Sequence, residues 1–304
     1  MKTNFSTLLI LILSIMIKDK TFSQGCSDAG FCSVSGIKPG TFDTLTGDKN
    51  NLTIGGSLAK ADHDISIIGN YLEYSRRITG KFSVHSKITS IRQDGNDISN
   101  FNLSDIYFTS NFLLNNYTKL IAGIKIPLSN ANKIKDDYSL PMDYQSSLGT
   151  FDLILGLNFQ VKKFQLAVGY EQALTNNKNE FLAENHPTWN VLNDFQSTNQ
   201  YRRKGDVLLR VAYPYSPLNK FKITPAVLAI YHIANDEYNN AFNNTLEIEG
   251  SKGLTLNGNL FVDYELCPKH NVQLSAGVPF VVRDNRPDGL TRKFVLNLEY
   301  GFKF

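Results

Sequence analysis

The sequence predicts an all-β chain of about twelve long antiparallel strands. Three observations predict it. After residue 50, large apolar residues recur at every second position, the period of a strand with two unlike faces. Most alternating runs are 10 to 14 residues long, where strands of ordinary globular domains run to about five or six. The links between runs alternate between very short and long.

The runs follow one another along the chain as 51–61, 64–77, 81–92, 101–114, 117–127, 150–161, 164–175, 204–213, 221–233, 252–265, 270–283 and 291–304. In 150–161, Phe151, Leu153, Leu155, Leu157, Phe159 and Val161 share one face, and Asp152, Ile154, Gly156, Asn158 and Gln160 the other. Run 164–171 sets Phe164, Leu166, Val168 and Tyr170 against Gln165, Ala167, Gly169 and Glu171. Run 205–213 sets Val207, Leu209, Val211 and Tyr213 against Asp206, Leu208, Arg210 and Ala212. The last run ends on Phe294, Leu296, Leu298, Tyr300, Phe302 and Phe304 against Val295, Asn297, Glu299, Gly301 and Lys303. Apolar sets at helical spacing are scarce.

Of the 304 residues, 42% are hydrophobic and 19% charged, too apolar for a disordered chain. A formal charge of +3 and the lack of a basic cluster with interleaved aromatics argue against a nucleic-acid partner. Residues 1–23 read as a signal peptide: Lys2, an apolar run over 6–17, then small residues Thr21 and Ser23 before a cut that would leave Gln24 first. The "KDK" at 18–20 leaves an uncleaved N-terminal anchor as the alternative. Beyond it no apolar stretch approaches 18 residues, which excludes a helical membrane protein but not a membrane β-barrel.

Strand length and links favour that barrel. A tilted strand needs about 9–11 residues to cross a bilayer. If the first strand rises from the periplasm, the periplasmic links are 78–80, 115–116, 162–163, 214–220 and 266–269. The opposite links include 62–63, 93–100 and 284–290, and the three long polar loops 128–149, 176–203 and 234–251. Short turns at one end and long loops at the other are the outer-membrane arrangement. In a closed barrel the last strand pairs with the first, which accounts for a regular strand at residues 293–304. Phe159, Phe164, Tyr213, Phe221, Tyr264, Phe302 and Phe304 lie at the short-turn end, the height of an interfacial aromatic girdle.

This ending resembles the closing signature of Gram-negative outer-membrane β-barrels, in which a C-terminal Phe after alternating aromatics is read by the assembly machinery. The resemblance implies a bacterial outer-membrane location, with outer-membrane lipid and the barrel-assembly machinery as partners. In architecture the chain also looks like the fatty-acid transporter class and the barrels associated with aromatic-compound degradation. The fatty-acid class has more strands and a longer N-terminal hatch, so none of its binding residues carries over.

The expected organisation is thus a signal peptide (1–23), a periplasmic tail or lumenal plug (24–50) and the barrel (51–304). Cys26 and Cys32 are expected to form a local disulfide. Pairing with Cys267, lipidation of Cys26 and a metal or haem site are the alternatives, but no C-x-x-C-H occurs and no histidine is close in sequence. No cofactor, metal or catalytic residue is expected. Outer-membrane phospholipase A carries a lipid-facing His-x-Ser; here His85 precedes Ser86 directly, which puts the two on opposite faces.

Alternation sends many charges of both signs inward. Asp152, Glu171, Asp206, Arg210, Lys222, His232, Asp263 and Glu299 are the lumen-lining candidates. Facing lipid, each would cost up to ~2–4 kcal/mol near the midplane. The expected function is passive passage of an unidentified small molecule. A structural or adhesive barrel with a blocked lumen, acting through its loops, is the alternative, and a lipid-modifying enzyme is the third reading.

Overall fold

The computed structural model describes residues 34, 36–39, 48–289 and 292–304. Twelve strands form one closed antiparallel ring. They are β1 (Asn50–Lys60), β2 (Ser66–Arg77), β3 (Phe82–Gly95), β4 (Ile98–Asn115), β5 (Thr118–Pro127) and β6 (Asp152–Val161). The second half comprises β7 (Phe164–Ala173), β8 (Asp206–Ala212), β9 (Phe221–His232), β10 (Gly253–Cys267), β11 (His270–Val281) and β12 (Phe294–Lys303). Each strand pairs with its two chain neighbours, and β12 pairs with β1 from Asn51↔Lys303 to Lys60↔Phe294. The seam ends in a reciprocal pair: Asn50 N–H donates to Phe304 O and Phe304 N–H to Asn50 O, both at 3.0 Å. The terminal residue is therefore held by the ladder.

Side chains alternate as the pleat requires. Ile54, Leu58, Leu155, Val168, Leu209, Val227, Leu296 and Leu298 are exposed on the outer face. Their inward neighbours, such as Asp152, Ile154, Glu171, Leu208 and Arg210, are buried. A water-soluble barrel would reverse this pattern.

Three links differ from expectation. The 93–100 loop is almost all strand, reduced to a turn at Asn96 and Asp97 with φ of 52° and 58°. Two successive left-handed residues make the hairpin turn that matches strand twist, and Asn and Asp tolerate it; the polar string Asp94–Asp97 had concealed it. The expected periplasmic turn 214–220 is partly a ladder, because Tyr215–Leu218 pairs with the start of β9. Cys267 ends β10 instead of lying in a turn; it is exposed and makes no disulfide among the described residues. Cys26 and Cys32 lie outside the described residues, as does the signal segment.

The long loops fold over their end of the barrel. Leu140, Tyr144, Phe181, Leu192 and Phe195 pack with Ala61, Ile65, Ile67 and Ile98 into an apolar cap. The wall grips the loop from inside: Gln93 Nε2 donates to Gln145 O and Asn100 Nδ2 to Tyr144 O, both at 2.7 Å.

Removing residues 293–304 exposes edges on β1 and β11. Loss of the heat-modifiable folded species on gels is expected. Deleting Phe304 alone removes two ladder bonds, so the barrel should still form, with stability lower by ~1–3 kcal/mol in urea refolding.

Candidate functional site

The lumen is built in two unlike halves. On the β4–β9 side the inner face is partly apolar. Tyr107, Ile121, Ile154, Ala167, Leu208, Leu228 and Ile230 form one buried cluster, and Val34 and Ile37 from the N-terminal segment sit in it. Residues 34 and 36–39, called the plug below, therefore lie inside the lumen, while 24–33, 35 and 40–47 lie outside the described residues. Polar groups fix its backbone: Arg210 Nη1 donates to Ile37 O at 2.9 Å and Asn158 Nδ2 to Gly36 O at 2.6 Å. Lys38 pairs with Glu299 across the lumen on β12. Gly36 has φ +102°, and a Cβ there would lie 2.5 Å from Asn111 Oδ1. Only glycine suits both the backbone and the space.

A second buried group joins wall and loops below the cap. His232 at the end of β9 contacts Asp206 through Nδ1 at 2.7 Å and Asp236 through Nε2 at 2.8 Å. Tyr201 OH donates to Asp236 Oδ2 at 2.7 Å. Arg203 pairs with Asp206, lies 4.0 Å from Glu171 and 3.9 Å from Asp288. Arg283 Nη2 donates to Asp288 Oδ2 at 3.0 Å and its Nη1 to Ser251 O at 2.9 Å. Loops 174–205, 233–252 and 282–289 therefore share one ionic knot with β7, β8 and β9. Lys125 pairs with Asp152 nearby on the inner face of β5 and β6. Burying such charges is costly unless each is paired, which is why the knot is dense.

The loop groups show the electrostatics. Burial raises the Asp288 carboxyl, but Arg283 and Arg203 outweigh it and hold the group below the ordinary carboxylate range. Burial pushes Asp143 up to about 7, with Asp62 and Asp288 acting in the same direction and Arg292 against them.

The β1–β3 and β10–β12 side is not filled by the described residues. A cavity of ≈ 220 Å³ lies there, bounded by the plug's Lys38, by Asn70, Lys87 and Asn259 from the wall, and by Ser146 from the loop above.

The eight lumen candidates divide among these places. Asp152, Glu171, Asp206 and His232 are buried in the ionic half, Arg210 holds the plug, and Glu299 meets Lys38 beside the cavity. Lys222 and Asp263 are partly buried and directly opposite each other on β9 and β10, and Asp263 accepts from Gln273. Arg203, Asp236 and Asp288 escaped sequence reasoning because they lie in loops with no period. The apolar seat escaped it too. Its signal was there, in the apolar residues on the inward phase at Ile121, Ile154, Leu208, Leu228 and Ile230.

His85 faces inward. Its Nδ1 is 2.7 Å from Ser75 Oγ, and its Nε2 is 3.0 Å from Ser83 Oγ and 2.8 Å from Asn111 Nδ2. This is a histidine within reach of hydroxyls, but on the lumenal face, and Ser75, Ser83 and His85 do not line the cavity. In the loop 174–205, His186 packs on Phe181 at 5.5 Å while Trp189 is 84% exposed.

No family model and no curated protein matches the chain. Solved structures do resemble it, and those neighbours are outer-membrane barrels. A CymD monoaromatic hydrocarbon channel aligns with TM-score 0.48 and 8% identity over 94% of this chain and 95% of its own. The NanC porin aligns with TM-score 0.45 and 10% identity, over 83% and 98%. The KdgM porin, solved with disordered oligogalacturonate, aligns with TM-score 0.44 and 8% identity, over 84% and 99%. The likeness is one of barrel architecture.

Two outcomes follow. Arg203→Ala removes the cation that Asp206, Glu171 and Asp288 share, and a loss of ~3–5 kcal/mol in loop packing is expected; limited proteolysis should then cut within 174–205 and 233–252. In an open loop Asp143 titrates near ~4. The packed loop binds the extra proton between pH ~4 and about 7, so packing is most favourable at acid pH and weakens as pH rises through about 7. Hydrogen exchange over 128–151, corrected for intrinsic rates, should report more opening at pH 8 than at pH 5, and Asp143→Asn should flatten that difference.

Proposed function

We propose that this barrel lies in a bacterial outer membrane and passes a small polar solute passively, with the N-terminal plug as its gate. The observation that carries the reading is a polar half of the lumen that the described residues leave unfilled, beside a short stretch, 34 and 36–39, held by an apolar seat and three polar contacts. A barrel that served only as a closed scaffold has no need of a glycine-dependent fit at Gly36 or of a cavity spanned by Lys38–Glu299. The apolar outer face and the short-turn, long-loop asymmetry support the membrane placement. Aromatic packing at the short-turn end, with Phe164 and Tyr213 rings 5.2 Å apart and Phe302 and Phe304 5.4 Å apart, supports an interfacial girdle there.

The adhesive reading has its own support in the packed cap and in Trp189 and Phe242, which project at 84% and 86% exposure. The two readings separate in a planar bilayer. The intact chain should conduct weakly. Gly36→Val, which collides with Asn111, and Arg210→Ala, which releases Ile37 O, should each raise conductance about tenfold with heat-modifiable migration unchanged. No gain from either variant, nor from deleting residues 24–47, leaves the blocked, loop-acting barrel as the better account.

A further inference from the structure

We infer that the cavity beside the plug is a binding station for an uncharged, polyhydroxylated solute the size of a single sugar ring. The inference rests on the passage reading for its place in transport; its chemistry comes from the cavity wall.

Volume sets the size. A space of ≈ 220 Å³ is below the ~300–1,000 Å³ usual for drug-sized ligands. It suits one ring and excludes a chain buried whole.

The charges on the wall are already engaged. Glu299 meets Lys38, and Asp105 accepts from Ser104 at 2.7 Å and from Ser147 at 2.6 Å. Asp288 is held by Arg283, Arg292 Nη1 donates to Gly289 O at 3.2 Å, Arg210 donates to the plug, and Lys87 lies 4.2 Å from the centre of the Tyr71 ring. A charged solute entering here would lose its hydration and would have to break one of these pairings.

The polar atoms left over are neutral. Gln93 Oε1, Ser146 Oγ and Asn259 Oδ1 are buried with no hydrogen-bond partner among the described residues. Gln93 and Ser146 are only 1% and 4% exposed, so these are costly atoms to leave unsatisfied. The Gln93 amide is fixed in sense, because its Nε2 is committed to Gln145 O. Its oxygen is therefore an acceptor waiting for a donor. Gln93 comes from β3, Asn259 from β10 and Ser146 from the loop between β5 and β6, so three separate elements present these groups. Two oxygens that only accept and one hydroxyl require a ligand that donates from several sides. A ring of neutral hydroxyls does so; a carboxylate or phosphate does not.

The test is calorimetric titration of the full chain in detergent micelles with glucose, myo-inositol, gluconate and glucosamine, alongside liposome swelling with the same solutes. Glucose or myo-inositol should bind at least about tenfold more tightly than gluconate and glucosamine. Ser146→Ala combined with Asn259→Ala removes groups that hold no other side chain, and should weaken that binding about tenfold with heat-modifiable migration unchanged. Equal binding of all four probes, no binding of either neutral probe, or undiminished binding by the double variant overturns the inference. Swelling without selective binding sinks the station and leaves passage standing. Selective binding with no swelling, even for Gly36→Val, sinks passage and leaves the station.

Discussion

Everything in this molecule depends on the ladder between β1 and β12. A sheet whose outer face is apolar has no tolerable edge, because each unpaired backbone group facing lipid costs several kcal/mol. Closure removes both edges at once, and it does so with the last residue of the chain, Phe304, bonded in both directions to Asn50. Once the ring is closed, inside and outside are defined for every strand, and a one-residue slip anywhere would turn a whole strand inside out.

Closure then creates the second problem, which is what to put inside. Twelve strands enclose more space than their own side chains fill in a small barrel and less than an open porin. The chain divides the space. One half holds an apolar seat occupied by Val34 and Ile37 and, nearer the loops, the ionic knot around Arg203 and His232. The other half keeps a polar cavity. The ionic knot and the apolar cap fix the loops at the long-loop end, while the plug is tied by the apolar seat and by the contacts of Arg210, Asn158 and Lys38.

How much of this was legible depends on whether a residue lay in a periodic run. Asp152, Glu171, Asp206, Arg210 and His232 stand out in the sequence as polar residues on one phase of an alternation, and the barrel buries all five. Asp236, Asp288 and Arg203 sit in loops, where no period marks a face. The turn at Asn96–Asp97 read as a loop because composition registers polarity and not the sign of φ. Ile154 and Leu208 were visible on the inward phase, but an apolar residue on a polar face has no meaning until its partner is known, and the partner lies more than a hundred residues away in the N-terminal segment.

By itself the sequence determined the strand count, the faces of the strands, the asymmetry of the two ends and the closing role of the terminal run. These are local properties: period, length and spacing follow from neighbouring residues and the pleat. Only the tertiary structure decided that residues 34 and 36–39 occupy the lumen, that the loops lock into one ionic knot, and that Gln93, Ser146 and Asn259 share one cavity. Those facts depend on pairings between distant segments, and a linear pattern carries no information on which buried charge meets which, or on where space remains once they have met.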